Sequence, residues 1–420
     1  MDFVMNWISV AFFTVALLIC CTFFRKDSDF LSPSRVFGFT WSVVLALVNL
    51  KLSRLQFNWT PIEWVYVLMG PASFLIGLFI AYVMNVGTPL WSIDEMRQKI
   101  KTQKINNEKL FYLILFGFFV YFIGYLVIYL VKGYIPIFSL HPAAARNDYF
   151  IFGVGLFTHT MPVIVFFSLI YLIFTDNNHS KKWLLKLIMF VTILTYLFLL
   201  QRYQLIMVSV LVFTLLYYST WRIRFRTMVL FIMAGVILIY SVATIRTGKI
   251  IQLALYITSE MKFSPRFAFI TEPYMYIVMN VENFVHAMSK IDYFSYGAYT
   301  FDWFFALIQL KYPIKEYFGF VDNPFLFSGY NTYTFFWTFY RDFGIIGISL
   351  IPMGCGLIVG SVYYSMRRNP SIELISFYCV SVFVMVMSFF VNPLGFLWFV
   401  YIVAWMVMIL KFTRKRADPA

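Results

Sequence analysis

The stretch NTYTFFWTFYRDFGIIG (331–347) runs from polar and charged residues straight into a long apolar segment. If it is wound as a helix, four polar residues spaced by three, four and three positions share one face: Asn331, Thr334, Thr338 and Arg341. Asp342 would then lie beside that face. Unsatisfied polar groups are costly in hydrocarbon, so such a stripe either packs against neighbouring helices or lines a polar cavity. We favour the wall of a ligand-binding cavity.

The composition of the chain predicts a membrane protein. Of its 420 residues, 61% are hydrophobic and 12% are charged. A soluble protein of this size cannot bury so much apolar surface. Apolar runs of roughly 17–25 residues match the thickness of a bilayer. The sequence therefore predicts an all-α polytopic membrane protein with about eleven transmembrane helices, at about 3–24, 35–50, 61–86, 110–131, 151–175, 183–200, 203–220, 228–246, 343–365, 372–391 and 394–410.

The basic residues predict the orientation of these spans. The short loops WRIRFR (221–226) and MRRNP (366–370) are rich in arginine, as short cytoplasmic loops are. We therefore expect the N-terminus outside and the C-terminus in the cytoplasm. The net charge of +14 comes from basic residues distributed among the loops between spans and not from one soluble basic domain. We therefore expect no nucleic-acid partner. The first run lacks a basic n-region and a small-residue cleavage site, which indicates a retained span.

The predicted topology divides the chain into three parts. Residues 1–246 hold spans one to eight, and residues 343–420 hold spans nine to eleven with a basic cytoplasmic tail. Between them, 247–342 forms one large extracytoplasmic segment rich in aromatic residues. Within it, 276–290 and 300–311 have the pattern of interfacial amphipathic helices. Either could instead be a re-entrant or spanning segment.

The sequence contains no motif for a metal or cofactor. The four cysteines all lie within predicted spans, and the four histidines are scattered along the chain. There is no Gly-rich nucleotide loop, no GxSxG and no HExxH motif. We therefore expect a mechanism that needs neither a metal nor a cofactor.

Four arginines are predicted at outer span ends or in outer loops: Arg146, Arg202, Arg246 and Arg341. Each alone could anchor a helix by snorkelling. Together they oppose the positive-inside tendency on four helices, which favours a shared anionic ligand. The planar fork of arginine suits phosphate. Asp342 and Glu272 are nearby acids, and either could simply pair with one of the arginines. Adjacent helical residues do not face each other, so Asp342 is expected to turn away from Arg341.

One pattern resembles a known family. In this chain N-T-x-T leads through aromatics to Y-x-D-F-G-x-x-G, after a long aromatic outer segment. This resembles the oligosaccharide repeat unit polymerases of the Wzy type, which are the O-antigen and capsule polymerases. The likeness extends through FLSPSRVFGFTW (30–41), IPIFSLHPAAARNDYF (135–150) and the arginines of LLQRYQL (199–205) and ATIRTGK (243–249), and it covers most of the chain.

The resemblance implies a glycosyltransferase with a GT-C-like plan that works at the outer face of the cytoplasmic (inner) membrane. Such enzymes move a growing glycan from undecaprenyl pyrophosphate onto the non-reducing end of a new lipid-linked repeat unit. Their partners are undecaprenyl-pyrophosphate-linked oligosaccharides, membrane lipid and usually a chain-length regulator protein. No metal ion or cofactor is implied.

The resemblance also implies roles for individual residues. The four arginines would contact the pyrophosphate and hold its charge as the glycosidic bond breaks. Asn331, Thr334 and Thr338 would line the path of the sugar. Asp342, or in second place Glu272, would accept the proton of the incoming hydroxyl.

Two alternatives stay open. An O-antigen ligase would hand the glycan to a different acceptor, and sequence separates it poorly from a polymerase. A flippase or other transporter would perform no chemistry. Transporters typically show two related halves or charged residues near the bilayer midplane. The ionisable residues here gather instead toward the predicted outer surface, and no halves are visible.

Overall fold

The computed structural model describes residues 7–22, 28–103, 105–175, 178–220, 251–291, 293–319, 324–327 and 329–414. This part of the chain is helical and contains no β-strand. Its α-helices are α1 (Trp7–Cys21), α2 (Pro33–Asn49), α3 (Pro61–Val83), α4 (Ile93–Lys101), α5 (Asn107–Lys132), α6 (Pro142–Asp148), α7 (Gly155–Thr158), α8 (Met161–Phe174), α9 (His179–Leu197), α10 (Tyr203–Ser219), α11 (Thr271–Met288), α12 (Asp302–Leu307), α13 (Lys311–Tyr317), α14 (Trp337–Arg368), α15 (Ile372–Met387) and α16 (Leu397–Thr413). Residues 251–258 are also helical.

Several helices have the length and composition of membrane spans. Among the described residues, four helical stretches are long and apolar enough to cross a bilayer: Pro61–Val83, Asn107–Phe138, Gly155–Phe174 and Trp337–Arg368. Four shorter apolar helices are α1, α10, α15 and α16. The protein is thus a helical membrane protein, as its composition predicts.

The predicted apolar runs agree with the helices to within a few residues at most ends. The run 203–220, for example, is α10 (Tyr203–Ser219), and 61–86 is α3 (Pro61–Val83). The run 151–175 is divided between α7 and α8. The predicted span 228–246 lies outside the described residues. The total of eleven crossings therefore stays a prediction.

The chain groups into two compact units. Unit 1 comprises Met1–Ile93, Lys249–Asn369 and Ser381–Phe399, and unit 2 comprises Asp94–Gly248, Pro370–Val380 and Val400–Ala420. Unit 1 thus takes residues from all three parts of the predicted membrane topology. The assignment of those parts to the two sides of the membrane stays a prediction.

Two helices of unit 1 pack with their backbones in contact. A Cβ on Gly77 of α3 would lie 2.0 Å from the carbonyl oxygen of Met353, and one on Gly356 of α14 would lie 2.1 Å from that of Phe74. Only glycine allows so close an approach between membrane helices. Gly356 of α14 therefore serves helix packing. Gly354 is different, because nothing lies within 4 Å of its Cβ position.

Helix α11 covers most of the piece 276–290. It packs against α2 and buries both Glu282 and Asn283 completely. These polar residues find partners in distant segments of unit 1. Whether the piece is interfacial, re-entrant or spanning stays a prediction. The piece 300–311 includes the short helix α12, none of whose residues is buried.

In unit 2, α8 is buried along nearly its whole length. It packs against α5, α9 and α10. Helix α5 ends at Gly133, whose φ of 75° is the left-handed conformation that commonly terminates helices.

Candidate functional site

The polar stripe of 331–347 does not lie on one helix. Helix α14 begins at Trp337, so Asn331 and Thr334 precede it and the expectation of a common helical face was wrong. The preceding segment is instead held by α11. The side-chain amide of Asn283 donates to the carbonyl oxygens of Tyr330 (2.7 Å) and Thr332 (3.0 Å). These bonds keep the segment in a non-helical conformation against α11.

The three polar residues of this stretch have different surroundings. Asn331 is exposed, whereas Thr334 is buried. The Thr334 hydroxyl has no hydrogen-bond partner among the described residues. Thr338 lies in the first turn of α14, and its hydroxyl accepts a hydrogen bond of 2.7 Å from the Asn392 amide. Asn331 is thus the member of the stripe that is most open to solvent.

Helix α14 is kinked at Gly344, inside the D-F-G sequence. Gly344 has φ 61° and ψ −141°, a conformation accessible essentially only to glycine. The kink frees the carbonyl oxygens of Arg341 and Asp342 from the helix. They accept hydrogen bonds from the backbone N–H groups of Ser295 (3.0 Å) and Tyr296 (3.1 Å). The start of α14 is therefore fastened to the aromatic segment 293–300.

Arg341 is buried against that aromatic segment. The residue is only 1% exposed. Its Nη1 donates to the carbonyl oxygen of Tyr293 at 2.6 Å. The guanidinium carbon lies 4.6 Å from the ring centroid of Tyr293 and 5.4 Å from that of Tyr299. Both distances are within the range of cation–π attraction. Arg341 therefore positions two aromatic rings.

Asp342 is also fully buried and binds the same segment. One carboxylate oxygen accepts from the backbone N–H of Thr300 at 2.5 Å, and the other accepts from that of Tyr299 at 3.2 Å. The Tyr299 N–H also lies 3.2 Å from the first of these oxygens, so backbone amides bind both oxygens of the carboxylate. The predicted role of Asp342 as a proton acceptor stays a prediction.

Two lysines that the sequence reasoning did not select lie at the same aromatic segment. The Lys315 ammonium lies 4.4 Å from the ring centroid of Tyr299, the ring that Arg341 also contacts. Lys311 binds Asp302 at 2.6 Å, and Lys315 lies 3.8 Å from the same carboxylate. The two lysine side chains are 30% and 25% exposed. We call Arg341, Asp342, Tyr293, Tyr299 and Lys315 the Arg341–Asp342 cluster.

Glu272 lies in the first turn of α11 and is buried. It lies close enough to Tyr330 to act on it electrostatically. Tyr330 immediately precedes Asn331 in the chain. Glu272 therefore belongs to unit 1 and to the neighbourhood of the 330–334 segment.

A second buried charge cluster in unit 1 was also missed by the sequence reasoning. One oxygen of Glu282 accepts from Lys51 Nζ (2.6 Å) and Gln56 Nε2 (3.0 Å), and the other accepts from Trp59 Nε1 (3.0 Å). Burial raises the pKa of Glu282 and lowers the pKa of Lys51, although each charge favours the other. We call these four residues the Glu282 cluster. Every oxygen of the carboxylate is bound, which is typical of a structural clamp.

Arg146 and Arg202 do not belong to unit 1. Arg146 lies in α6 and Arg202 immediately precedes α10, both in unit 2. Arg146 acts electrostatically on Tyr196, whose hydroxyl donates to Gln201 at 2.8 Å. The structure thus brings Arg146 and Arg202 to one region of unit 2. Arg246 lies outside the described residues. Convergence of all four arginines on one ligand stays a prediction.

In the described residues, no group of three or more His, Cys, Asp or Glu side chains could hold a metal ion. No protein-family model matches the chain, and it matches no curated protein and no solved structure. A function is therefore inferred from the residues and contacts of the chain itself.

Proposed function

We propose that the protein is a polymerase of lipid-linked oligosaccharide repeat units. It transfers the growing glycan from undecaprenyl pyrophosphate onto the non-reducing end of a new repeat unit, in the synthesis of O-antigen or capsular polysaccharide. The observation that supports this most is the Arg341–Asp342 cluster. It joins the D-F-G-x-x-G stretch to the aromatic outer segment, the two parts of the chain that most resemble such polymerases.

The charges around the cluster suit a pyrophosphate leaving group. Three cations (Arg341, Lys311 and Lys315) stand against two carboxylates (Asp302 and Asp342), which leaves an excess of one positive charge. Lys311 and Lys315 are partly exposed and contact the pyrophosphate in this proposal. Arg341 lies behind them and holds Tyr299 in place. Preorganised cations of this kind stabilise charge that develops as the glycosidic bond breaks.

The acceptor side of the reaction needs a group that takes a proton from the attacking sugar hydroxyl. Asp342 is the first candidate, because two backbone amides hold its carboxylate rigidly within the Arg341–Asp342 cluster. Glu272 is the second. Asn331 and the unbonded hydroxyl of Thr334 bind the sugar, while Tyr293 and Tyr299 offer ring faces.

The same proposal includes the finer topology. Eleven helices cross the cytoplasmic membrane, with the N-terminus outside, the C-terminus in the cytoplasm and the reaction at the outer face. Binding of the anionic carrier then also involves the arginines at the outer ends of spans, Arg146, Arg202 and Arg246. A chain-length regulator is the expected protein partner. Labelling of single cysteines introduced at 221–226 and 366–370 with a membrane-impermeant reagent tests this orientation, since both loops should be protected in intact cells.

The test of function uses purified protein in nanodiscs with an undecaprenyl-pyrophosphate-linked repeat unit from its host. A ladder of multiples on a gel, without added nucleotide sugar, is the expected result for the wild type. Arg341→Lys should lose the ladder, whereas Arg368→Lys, at the other end of α14, should keep it. A substrate that remains a single repeat would contradict a polymerase. Lipid A–core acceptor would then distinguish a ligase, which modifies it, from a transporter, which does not.

A further inference from the structure

Unit 2 contains a cavity of about 260 Å³ at the ends of α5 and α16. Its floor is apolar and includes Leu110, Phe167 and Leu410, and its mouth carries Glu373 and Arg414. None of the residues predicted for glycosyl transfer lines it. The cavity is slightly smaller than pockets that enclose a drug-sized molecule, which are roughly 300–1,000 Å³. It is therefore suited to part of a larger amphipathic molecule.

Hydrogen bonds between three chain segments build the walls of this cavity. The side chain of Gln103 donates to the carbonyl oxygen of Pro370 at 2.7 Å and accepts from the backbone N–H of Ile372 at 3.0 Å. The backbone N–H of Asn106 donates to the carbonyl oxygen of Thr413 at 3.0 Å. The segments before α5, before α15 and at the end of α16 are thus tied together. The cavity is preformed.

The mouth of the cavity can bind an anion. The Arg414 side chain is 74% exposed, and its Nε lies 3.7 Å from the Glu373 carboxylate. That distance is too long for a hydrogen bond, and exposed ion pairs of this kind contribute little energy. The guanidinium can therefore turn its N–H groups to a phosphate. Further positive charge comes from exposed lysines of α4, α5 and α16, which are Lys101, Lys109 and Lys411.

We propose that this cavity binds an anionic phospholipid, with an acyl chain against the apolar floor and the phosphate on Arg414. Basic pockets between membrane helices typically bind anionic headgroups in this way. The floor lies between helices that have the apolar composition of membrane spans, so lipid can reach it laterally. The proposal does not depend on the polymerase activity, because it uses none of the residues of the Arg341–Asp342 cluster.

The test is native mass spectrometry of the full chain released from detergent after equilibration with phosphatidylglycerol or phosphatidylcholine of identical acyl chains. The wild type should retain phosphatidylglycerol about tenfold better than phosphatidylcholine. Arg414→Gln should bring the ratio of the two retained lipids close to one. Arg414 is exposed, so the variant should fold normally. Lys186→Gln removes an exposed cation of unit 2 outside the cavity, and it should leave the ratio unchanged.

A second variant separates the headgroup from the acyl chain. Ile105 lines the cavity and is half-buried, so Ile105→Trp should fill it and reduce retention of both lipids. Glycerol phosphate, which lacks the acyl chains, should not displace the bound lipid. Three results would overturn the proposal. They are an unchanged ratio in Arg414→Gln, an equal loss in Lys186→Gln, and displacement by glycerol phosphate, which would indicate a free-phosphate site.

Discussion

Unit 1 buries two sets of charges in different ways. In the Glu282 cluster, a carboxylate is matched by a cation, an amide and an indole from the segment 51–59. In the Arg341–Asp342 cluster, the carboxylate is bound by backbone amides and the guanidinium by a carbonyl oxygen and two rings. The first cluster is closed by its own side chains. The second continues through Tyr299 to a partly exposed lysine.

On this difference we base the proposal that the Glu282 cluster supports the fold and the Arg341–Asp342 cluster serves a ligand. A buried carboxylate whose bonds run to side chains of a distant segment joins two parts of the fold, so its loss should affect stability. A cluster that connects a buried arginine to partly exposed lysines can act on an anion at the surface. We therefore expect changes in the Glu282 cluster to lower stability, and changes in the Arg341–Asp342 cluster to lower activity in folded protein.

The largest effect is expected for Lys51→Met. The variant leaves Glu282 buried without its cation, which should lower the free energy of unfolding by about 3–5 kcal/mol. The double variant Lys51→Met/Glu282→Gln should recover part of this loss, because no uncompensated charge then remains. Thermal unfolding of purified protein in detergent measures both. A single variant as stable as the wild type would show that the ion pair does not hold α11.

The stability of the Lys51→Met variant should depend on pH. Burial raises the pKa of Glu282 above its ordinary value of 4.5, and Lys51 opposes this increase. Without Lys51 the pKa of Glu282 in the folded state rises further. A carboxyl group with a raised folded-state pKa destabilises the protein at higher pH, and this effect vanishes as the pH falls to the unfolded-state value. The stability deficit of Lys51→Met should therefore shrink between pH 7.5 and 5. A constant deficit would contradict the buried charge as its cause.

Arg341→Lys should have the next largest effect, and it should appear in activity. Lysine keeps the charge but loses the planar fork that binds Tyr293 and stacks on the two rings. We expect the polymerisation rate of folded protein to fall about 100-fold, which is about 2.7 kcal/mol. Arg368→Lys on the same helix is the matched control. An unchanged rate in Arg341→Lys would mean that the arginine only fills space.

Gly344→Ala should disturb the kink that joins α14 to the aromatic segment. The φ of 61° is strained for alanine, and a Cβ would lie 2.6 Å from the Phe294 ring. A loss of about 2 kcal/mol in stability is expected, together with reduced activity. Gly354→Ala is the control, because nothing lies within 4 Å of its Cβ position and alanine favours a helix. If both variants behaved alike in unfolding and rate measurements, the kink would have no functional importance.

The smallest effect is expected for Lys315→Gln. Its ammonium is partly exposed and lies 3.8 Å from Asp302, so stability should change by about 0.5 kcal/mol or less. The KM for the lipid-linked donor should rise about threefold, since one of the contacts to the pyrophosphate is lost. Lys290→Gln, an exposed lysine after α11, should leave KM unchanged. Equal KM values in the wild type, Lys315→Gln and Lys290→Gln would show that Lys315 does not contact the donor.

The long apolar helices could be predicted from the sequence, because the length of an apolar run sets the length of the helix that spans a bilayer. The start of α14 at Trp337 could not, since Asn283 of the distant helix α11 binds the carbonyl oxygens of Tyr330 and Thr332 and holds the preceding segment out of the helix. Likewise, Glu282 is separated from Lys51 by 231 residues, and no local pattern shows that they meet. The sequence selected Arg341 and Asp342 as candidate site residues, and this stays a prediction; their aromatic partners depend on tertiary contacts that no local pattern shows.

The most direct test compares two isosteric changes, Asp342→Asn and Glu282→Gln, in the repeat-unit polymerisation assay at equal amounts of folded protein. We predict that Asp342→Asn lowers the single-turnover rate of the folded protein by about 100-fold, and that the loss of one carboxylate acceptor costs about 1–3 kcal/mol of stability. Glu282→Gln should lower the unfolding temperature and leave the rate of the folded fraction near that of the wild type. The opposite pattern, an active Asp342→Asn beside an inactive but stable Glu282→Gln, would contradict the assignment of the two clusters.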